Sequence, residues 1–534
     1  MRFLRATLAS VLTIAIAQDT YTNPVLWNDL ADIDIFRVND TYYYSASTMA
    51  FSPGAPILTS KDLVNWQFVG HSVPRLDFGY ATAYNLEDGQ QAYVRGIWAS
   101  SMRYRPSNGL WYWIGCVDFE NTYIYTASEP TGDWSLASTI GTCYYDCGLL
   151  FDQDDSIYVA YGNPNITVAQ LNDDLTEKSI TPVFNGTFYI EGARFYNING
   201  TYYIMVTQPA TREYTLKSTG DVFGPYEIKI FADEPTSPVP EWGGHPHQGG
   251  IVDTPDGDWY YLAFDDDYPG GRLPMLAPFS FDEEGWPTLP SLDIFTQELP
   301  YPSTPVLVDS VHGLDTFPGP ALDPQWEWNR KSIDLITVTL AASLTTSSDN
   351  PVESAYSFAD GGGLVLNTAT VTNDIYHAQN TLTHRILGPK SKATIELDLT
   401  SMSAGDRAGL SLFRDHLAYL SYQDGILSLW RNASLDIENK WNTKSVGEIE
   451  ESVDLLNLES IWMRLQANID PGSDNLGTFY YSTDGVSFVQ IGTPYLMNNT
   501  YNFFIGYRYG IFNFATEALG GSVTVRSFKQ ELVE

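Results

Sequence analysis

The sequence predicts an all-β protein, a five-bladed β-propeller followed by a β-sandwich, and three observations carry that prediction. A strand–turn–strand pattern returns five times in the first half of the chain. The 35 tyrosines, 26 phenylalanines, 14 tryptophans and 42 glycines favour strands and tight turns over helices. The last third reads as short alternating strands with turn signals and no helical period of useful length. At 534 residues the chain exceeds a single hydrophobic core, so two domains are expected.

The repeat supplies the first domain. Its copies are "DIDIFRVNDTYYYSAS" from Asp32, "WASSMRYRPSNGLWYWIG" from Trp98, "DCGLLFDQDDSIYVAYG" from Asp146, "EGARFYNINGTYYIMVTQ" from Glu191 and "HQGGIVDTPDGDWYYLAF" from His247. Each has a first strand, a turn rich in Asn, Asp, Ser or Gly, and an aromatic second strand. Starts lie 45 to 66 residues apart, room for four short strands per copy. Four-stranded sheets arranged radially make a propeller, and five copies make five blades. The first strand of each blade lines the central channel, so Asp32, Trp98, Asp146, Glu191 and His247 should ring one end of it. The propeller is placed at residues 18–305. The Pro-rich "ELPYPSTPVLVD" leads into residues 306–534, where "ATIELDLT", "AGLSLFRD", "LAYLSYQ", "ILSLWRN", "WMRLQANI", "TFYYSTDG" and "SVTVRSF" predict an antiparallel sandwich.

Charge and termini narrow the function. A net charge of −37 repels phosphate backbones and anionic membranes, which leaves neutral partners and argues against nucleic acid and membrane binding. Residues 1–17 pair two arginines with an apolar run ending Ala15-Ile16-Ala17, a secretory signal peptide, so the protein is expected outside the cell. Six Asn-X-Ser/Thr sequons, at Asn39, Asn165, Asn185, Asn199, Asn432 and Asn498, suit a secreted glycoprotein. Cys116, Cys143 and Cys147 allow one disulfide and one thiol, with the pair left open. No zinc spacing, P-loop or dinucleotide fingerprint is present, and nothing points to an oligomer, so a monomer is expected.

The ring carries chemistry. Hydrolysing a glycosidic bond with inversion needs a protonated carboxyl for the leaving oxygen and a carboxylate base for water, about 6.5–9.5 Å apart. Asp32, Asp146 and Glu191 supply three carboxyls on three blades, one more than the reaction consumes. The third can raise the acid's pKa by repulsion. A lone Asp at a strand start is ordinarily a turn former or cap; it is their common register that marks these. Asp34 shares a face with Asp32 by strand alternation and competes for its role. Asp154, Asp155, Asp265, Asp266 and Asp267 read as turn or rim acids. Trp98 is either core or a sugar-stacking wall. His247 holds a structural calcium or a water in the channel, contacts substrate, or is a core histidine. Arg272, after paired glycines in "DYPGGRLPML", reads as a loop residue reaching over the pocket or as a surface ion-pair partner.

These residues resemble glycoside hydrolase family 43. "NPVLWNDLADIDIFRVNDTYYYSAS" is similar to the family's opening, with Asp32 in the general-base position and Ile33 where Pro is usual. "RGIWASSMRY", "YYDCGLLFDQDD", "YIEGARFY", "PHQGGIVDTPDGDWYY" and "GGRLPML" resemble its later segments. The resemblance implies Glu191 as general acid, Asp146 as modulator of its pKa, and Trp98, His247 and Arg272 at the substrate. "ARF" replaces the frequent "PHI". "LDPQWEWNR" and "GYRYGIFNFATEALGGSVTV" resemble the concanavalin-like sandwich attached to many members, a loop of which can wall the site. Stretches such as "STMAFSPGAPILTSKDLVNW" are similar to the fungal arabinoxylan branch, which implies an inverting α-L-arabinofuranosidase on neutral cell-wall polysaccharide, requiring no cofactor.

Other readings stay open. Close neighbours of that branch are β-xylosidases, and one pocket can accept both pentoses. A non-catalytic carbohydrate-binding propeller would repeat its site at each blade, whereas the ring residues differ from blade to blade. A retaining invertase-like enzyme would want Asn-Asp-Pro-Asn and Glu-Cys motifs where this chain has "NDLADID" and "EGA". A sialidase would repeat Ser-X-Asp-X-Gly boxes, of which "YSTDGVSF" is one loose echo in the other domain.

Overall fold

The protein is described by a computed structural model covering residues 20–239, 243–308, 313–330 and 355–533; the expected signal segment lies outside them. Five four-stranded antiparallel sheets follow one another in chain order, each built from consecutive strands. Their inner strands are Asp34–Val38, Ser100–Arg105, Gly148–Phe151, Glu191–Ile198 and His247–Asp253. The predicted repeat is therefore the blade, and its aromatic second half is the second strand: Thr41–Ser45, Leu110–Val117, Ile157–Tyr161, Thr201–Gln208 and Trp259–Asp267.

Burial explains why the first two strands of each blade are legible and the outer ones are not. Ile157–Tyr161 is buried throughout, because it lies between its own sheet neighbours and the adjacent blades. The outer strands Ser135–Ile140 and Glu177–Phe184 are largely exposed and carry no apolar alternation. Inner strands approach so closely that a Cβ on Gly250 would lie 2.9 Å from Ile35 Cγ2, which seats blade 5 against blade 1. The same seam is held by Arg37 Nε–H donating to the Asp253 carbonyl at 2.9 Å, while Ile251 N–H donating to the Tyr196 hydroxyl at 3.0 Å ties blade 5 to blade 4.

The second domain is a sandwich of two antiparallel sheets, with nine and seven strands among the described residues. Lys390–Asp398, Asp406–Phe413, His416–Gln423, Ile426–Asp436, Ser460–Asn468, Leu476–Ser482 and Ser522–Leu532 are the strands expected from the sequence. The two domains share a core. Met49, Phe51, Ile57 and Trp113 of the propeller belong to one apolar cluster with Phe413, Tyr419, Phe503 and Phe512 of the sandwich. Beside it, buried Glu327 accepts from Arg385 at 2.8 Å and Arg508 at 2.6 Å, and its Oε1 lies 3.1 Å from His71 Nε2 of the propeller. Burial alone would raise the Glu327 pKa; the two guanidiniums outweigh it and hold the carboxyl well below its usual range.

Two expectations need correction here. Asp265 and Asp267 are not rim acids: both are buried on the strand Trp259–Asp267, and burial raises both well above the usual carboxylate range. Arg272 is not on a loop over the pocket but is the second residue of the strand Gly271–Phe281. The cysteine pair left open is Cys116–Cys143, and Cys147 is a buried thiol.

Candidate active site

The channel end holds a cavity of 370 Å³, within the lower part of the roughly 300–1,000 Å³ usual for small-ligand sites. Asp32, Trp98, Asp146, Glu191 and Arg272 all line it. Asp32 and Asp146 stand two residues before their inner strands, and both adopt left-handed backbone, with φ of 58° and 51°. Non-glycine residues in that region are uncommon and cluster at functional sites. The conformation lifts each carboxyl off the sheet and into the cavity.

Asp32 is held from two directions. Arg272 Nη1–H donates to Oδ1 at 2.8 Å and Nη2–H to Oδ2 at 3.4 Å, while the Ser47 hydroxyl donates to Oδ2. Arg272 is itself fixed by buried Asp29, whose Oδ1 accepts from the Arg272 backbone N–H at 2.8 Å. Asp34 does not compete with Asp32. It points away from the cavity, where its Oδ2 accepts from Ser101 Oγ at 2.8 Å, Met102 N at 2.7 Å and Arg103 Nη1 at 2.6 Å.

Glu191 opens its strand, and a β-bulge separates it from Arg194, so Glu191 pairs with Thr207 and Arg194 with Met205. One oxygen, Oε2, accepts from Tyr189 Oη at 2.8 Å, Tyr145 Oη at 2.9 Å and Asn163 Nδ2 at 3.2 Å. With Oε2 occupied as acceptor, Oε1 is the oxygen left to carry a proton. Burial raises the Glu191 pKa, the two tyrosine bonds pull it down, and repulsion from Asp32 raises it. Asp146 is raised well above its usual value by burial, then by repulsion from Glu191 and Asp32. Burial and mutual repulsion thus bias both carboxyls of this pair towards the protonated form relative to isolated ones.

Aromatic rings complete the walls. Trp98, half-buried, anchors its indole N–H on the Val94 carbonyl at 3.2 Å and meets Phe504 edge-on at 5.8 Å between centroids. Phe504 comes from the sandwich, so the second domain supplies part of the pocket. Its loop is locked by Phe504 N–H donating to Tyr93 Oη at 2.9 Å and Gly506 N–H to Asp29 Oδ2 at 2.9 Å. Phe119 and Tyr189 are exposed at the rim, with Phe119 stacked against Tyr145.

His247 is brought near the cavity but not to its wall. It is buried, packs on Phe264 at 4.5 Å, and its neighbour Gln248 reaches the pocket instead. Its Nδ1 lies 2.8 Å from the His245 carbonyl, so Nδ1 donates and Nε2 keeps its lone pair. Burial pushes its pKa down to about 4, so the imidazole is neutral. Among the described residues no three His, Cys, Asp or Glu side chains gather to hold a metal ion. Calcium takes about six to eight oxygen ligands, so one imidazole is no calcium cage, and an ion here would bring its oxygens as water.

Sequence reasoning missed Tyr145, Tyr189, Asp29, Arg194 and Phe504. Tyr145 adjoins Asp146, and Tyr189 precedes Glu191 by two, the strand period that puts side chains on one face. Those two had a signal; Phe504 had none.

Comparison with known proteins identifies both domains. The model of glycosyl hydrolases family 43 matches residues 21–287, and that of the beta xylosidase C-terminal concanavalin A-like domain matches residues 346–531. A putative beta-xylosidase of Xylanibacter ruminicola is 26% identical over 90% of this chain and 84% of its own. A non-reducing end alpha-L-arabinofuranosidase of Bacteroides ovatus is 28% identical over 55% of this chain and 58% of its own. Among solved structures, one of a GH43 glycoside hydrolase engineered to display both endo-xylanase and exo-arabinofuranosidase activity aligns with a TM-score of 0.87. It is 41% identical and covers 96% of this chain and all of that one.

Proposed function

The chain belongs to glycosyl hydrolases family 43, and from that membership we propose that it is a secreted, exo-acting enzyme releasing L-arabinofuranose from doubly substituted xylose in arabinoxylan. It is an inverting O-glycosidase of the xylosidase and arabinofuranosidase family. The observation that carries the reading is the meeting of Asp32, Asp146 and Glu191 in one cavity of 370 Å³. A ring with one such site is an enzyme's asymmetry, not a lectin's repetition.

The mechanism assigns Asp32 as general base, Glu191 as general acid and Asp146 as the group that tunes and positions Glu191. Arg272 and Ser47 aim the Asp32 carboxylate at a water on the face of the sugar opposite the leaving group. As that water attacks the anomeric carbon, Oε1 of Glu191 delivers its proton to the departing glycosidic oxygen. Negative charge then develops on Glu191, and the donors already aimed at Oε2 stabilise it without rearranging. Trp98 and Phe504 form the apolar walls for the sugar. Export is supported by the Cys116–Cys143 disulfide, which persists in oxidising compartments. A calcium held through water beside His247 is a further part of the proposal, read out by metal analysis of the purified protein.

The relatives named beta-xylosidases favour a second reading, removal of xylose from xylo-oligosaccharides. One experiment separates the two: the monosaccharide released from arabinoxylan before and after enzymatic removal of singly linked arabinose, with Glu191→Gln and Asp32→Asn alongside. Arabinose still released from the pretreated polymer, and lost in both variants, is the expected result. Xylose released from short oligosaccharides instead moves the assignment to β-xylosidase. Full turnover by both variants removes the catalytic assignment.

A further inference from the structure

The family reading leaves one buried group in the channel without a role. Arg194 is fully buried on the inner strand of blade 4, three residues after Glu191. An odd spacing on a regular strand would place the two on opposite faces. The bulge between them adds one residue, restores the parity, and turns both towards the channel.

From there the guanidinium spans the other blades. Nη2–H donates to the Asp32 carbonyl at 2.7 Å and Nε–H to the Ile33 carbonyl at 2.9 Å, both in blade 1. Nη1 donates to the Ser100 carbonyl of blade 2 and the Cys147 carbonyl of blade 3, each at 2.9 Å. The four acceptors are not scattered. They are the carbonyl of Asp32, that of the residue after it, that of the residue after Asp146, and one two residues past Trp98. A single planar group thus ties the backbone beside three ring positions to the strand that carries the fourth, Glu191.

We propose that Arg194 is the positioning residue of the catalytic ring, setting the separation between Asp32 and Glu191 and holding the left-handed backbone at Asp32 and Asp146. Two features support a role beyond filling space. Asp32 and Asp146 occupy a backbone region that side chains rarely adopt, and such conformations persist only where the surroundings over-determine them. Two of the four bonds fall on the consecutive peptides at Asp32 and Ile33, which fixes the plane on which the Asp32 side chain stands. Lysine cannot replace this fork, because an ammonium offers point-charge donors and cannot address acceptors arranged in a plane.

The inference rests on the assignment of Asp32 and Glu191 as base and acid, and its test separates the two. Wild type, Glu191→Gln, Arg194→Lys and Arg194→Met are assayed on an aryl α-L-arabinofuranoside and an aryl β-D-xyloside, with kcat and KM measured and each variant's thermal melt recorded. A misplacement of about 1 Å costs on the order of 100-fold in rate. Arg194→Lys is expected to melt cooperatively above the assay temperature and to lose roughly 10- to 100-fold in kcat with KM within about twofold. Arg194→Met loses more; should it fail to fold, Arg194→Lys decides alone. A kcat for Arg194→Lys within about twofold of wild type, or a loss that tracks the unfolded fraction, overturns the proposal. Glu191→Gln that keeps full turnover on arabinoxylan, whose leaving oxygen needs the proton, overturns the underlying assignment instead.

Discussion

Tyr145→Phe isolates one hydrogen bond to the proposed acid. The Tyr145 hydroxyl donates to Glu191 Oε2 at 2.9 Å, and this bond pulls against the burial that raises the Glu191 pKa. A bond to an ionised group is worth about 1.5–3 kcal/mol and one to a neutral group about 0.5–1.5, so the differential is about 1 kcal/mol. At 1.36 kcal/mol per unit, that is about 0.7 of a pH unit. The sign follows from which form the bond favours. Removing a donor destabilises the carboxylate, so the pKa rises further. Glu191 acts while protonated, so the alkaline limb of kcat/KM moves to higher pH.

The same change makes Glu191 a weaker acid and removes a donor from the charge that develops as the proton leaves. Turnover at the optimum should therefore fall, roughly two- to threefold for the acid strength alone. The assay is a pH profile of kcat/KM for both proteins on an activated and an unactivated glycoside. The unactivated substrate needs the proton more and should lose more. Tyr189→Phe, whose bond is 2.8 Å, should behave alike. An alkaline limb that stays in place or moves down, with the variant folded, refutes the account of how Glu191 is tuned.

Two other predictions concern the join between domains. Asp29 accepts Arg272 N–H on one oxygen and Gly506 N–H on the other, and its carbonyl accepts Arg385 Nε–H at 2.8 Å. In Asp29→Asn one of those N–H groups faces an amide donor, so kcat/KM should fall by about tenfold, the cost of an unpaired buried donor, with a small change in melting temperature. Glu327→Gln leaves two buried guanidiniums short of a charge and should destabilise by about 3–5 kcal/mol in denaturant titrations. Because the folded pKa of Glu327 is depressed, its contribution is complete above the unfolded value near 4.3 and is lost as pH falls below it, so the gap to wild type should narrow in acid.

The parts of this molecule that could be read from the sequence are those where burial is periodic and repeated. Inner and second strands announce themselves because adjacent blades bury them. Equivalent positions then meet at the axis, which is why Asp32, Asp146 and Glu191 were found together. The edge strand Asn442–Asp454 was missed for the opposite reason: most of it faces solvent, so its pattern is charged and aperiodic. Asp265 and Asp267 were misread because a run of acids beside Pro and Gly signals a turn, whereas the chain continues there as a buried strand. Phe504 reaches the pocket from beyond residue 500, a contact written in no local pattern.

Arg194 shows a further limit, because it was in plain view inside a quoted repeat. Strand parity assigns it to the face away from Glu191, and only the bulge reverses that. The one trace in the sequence is Gly192, whose φ of 75° suits the irregular step. Bulges therefore matter here as much as the repeat does. A perfectly regular propeller would set five equivalent side chains around its axis and could bind a ligand five times over. This one varies the group at each ring position and bulges the inner strands of blades 4 and 5, so that an acid and a base share one cavity while a buried cation ties the backbone beside them. The asymmetry that makes the repeat hard to see in the sequence is the same asymmetry that the chemistry requires.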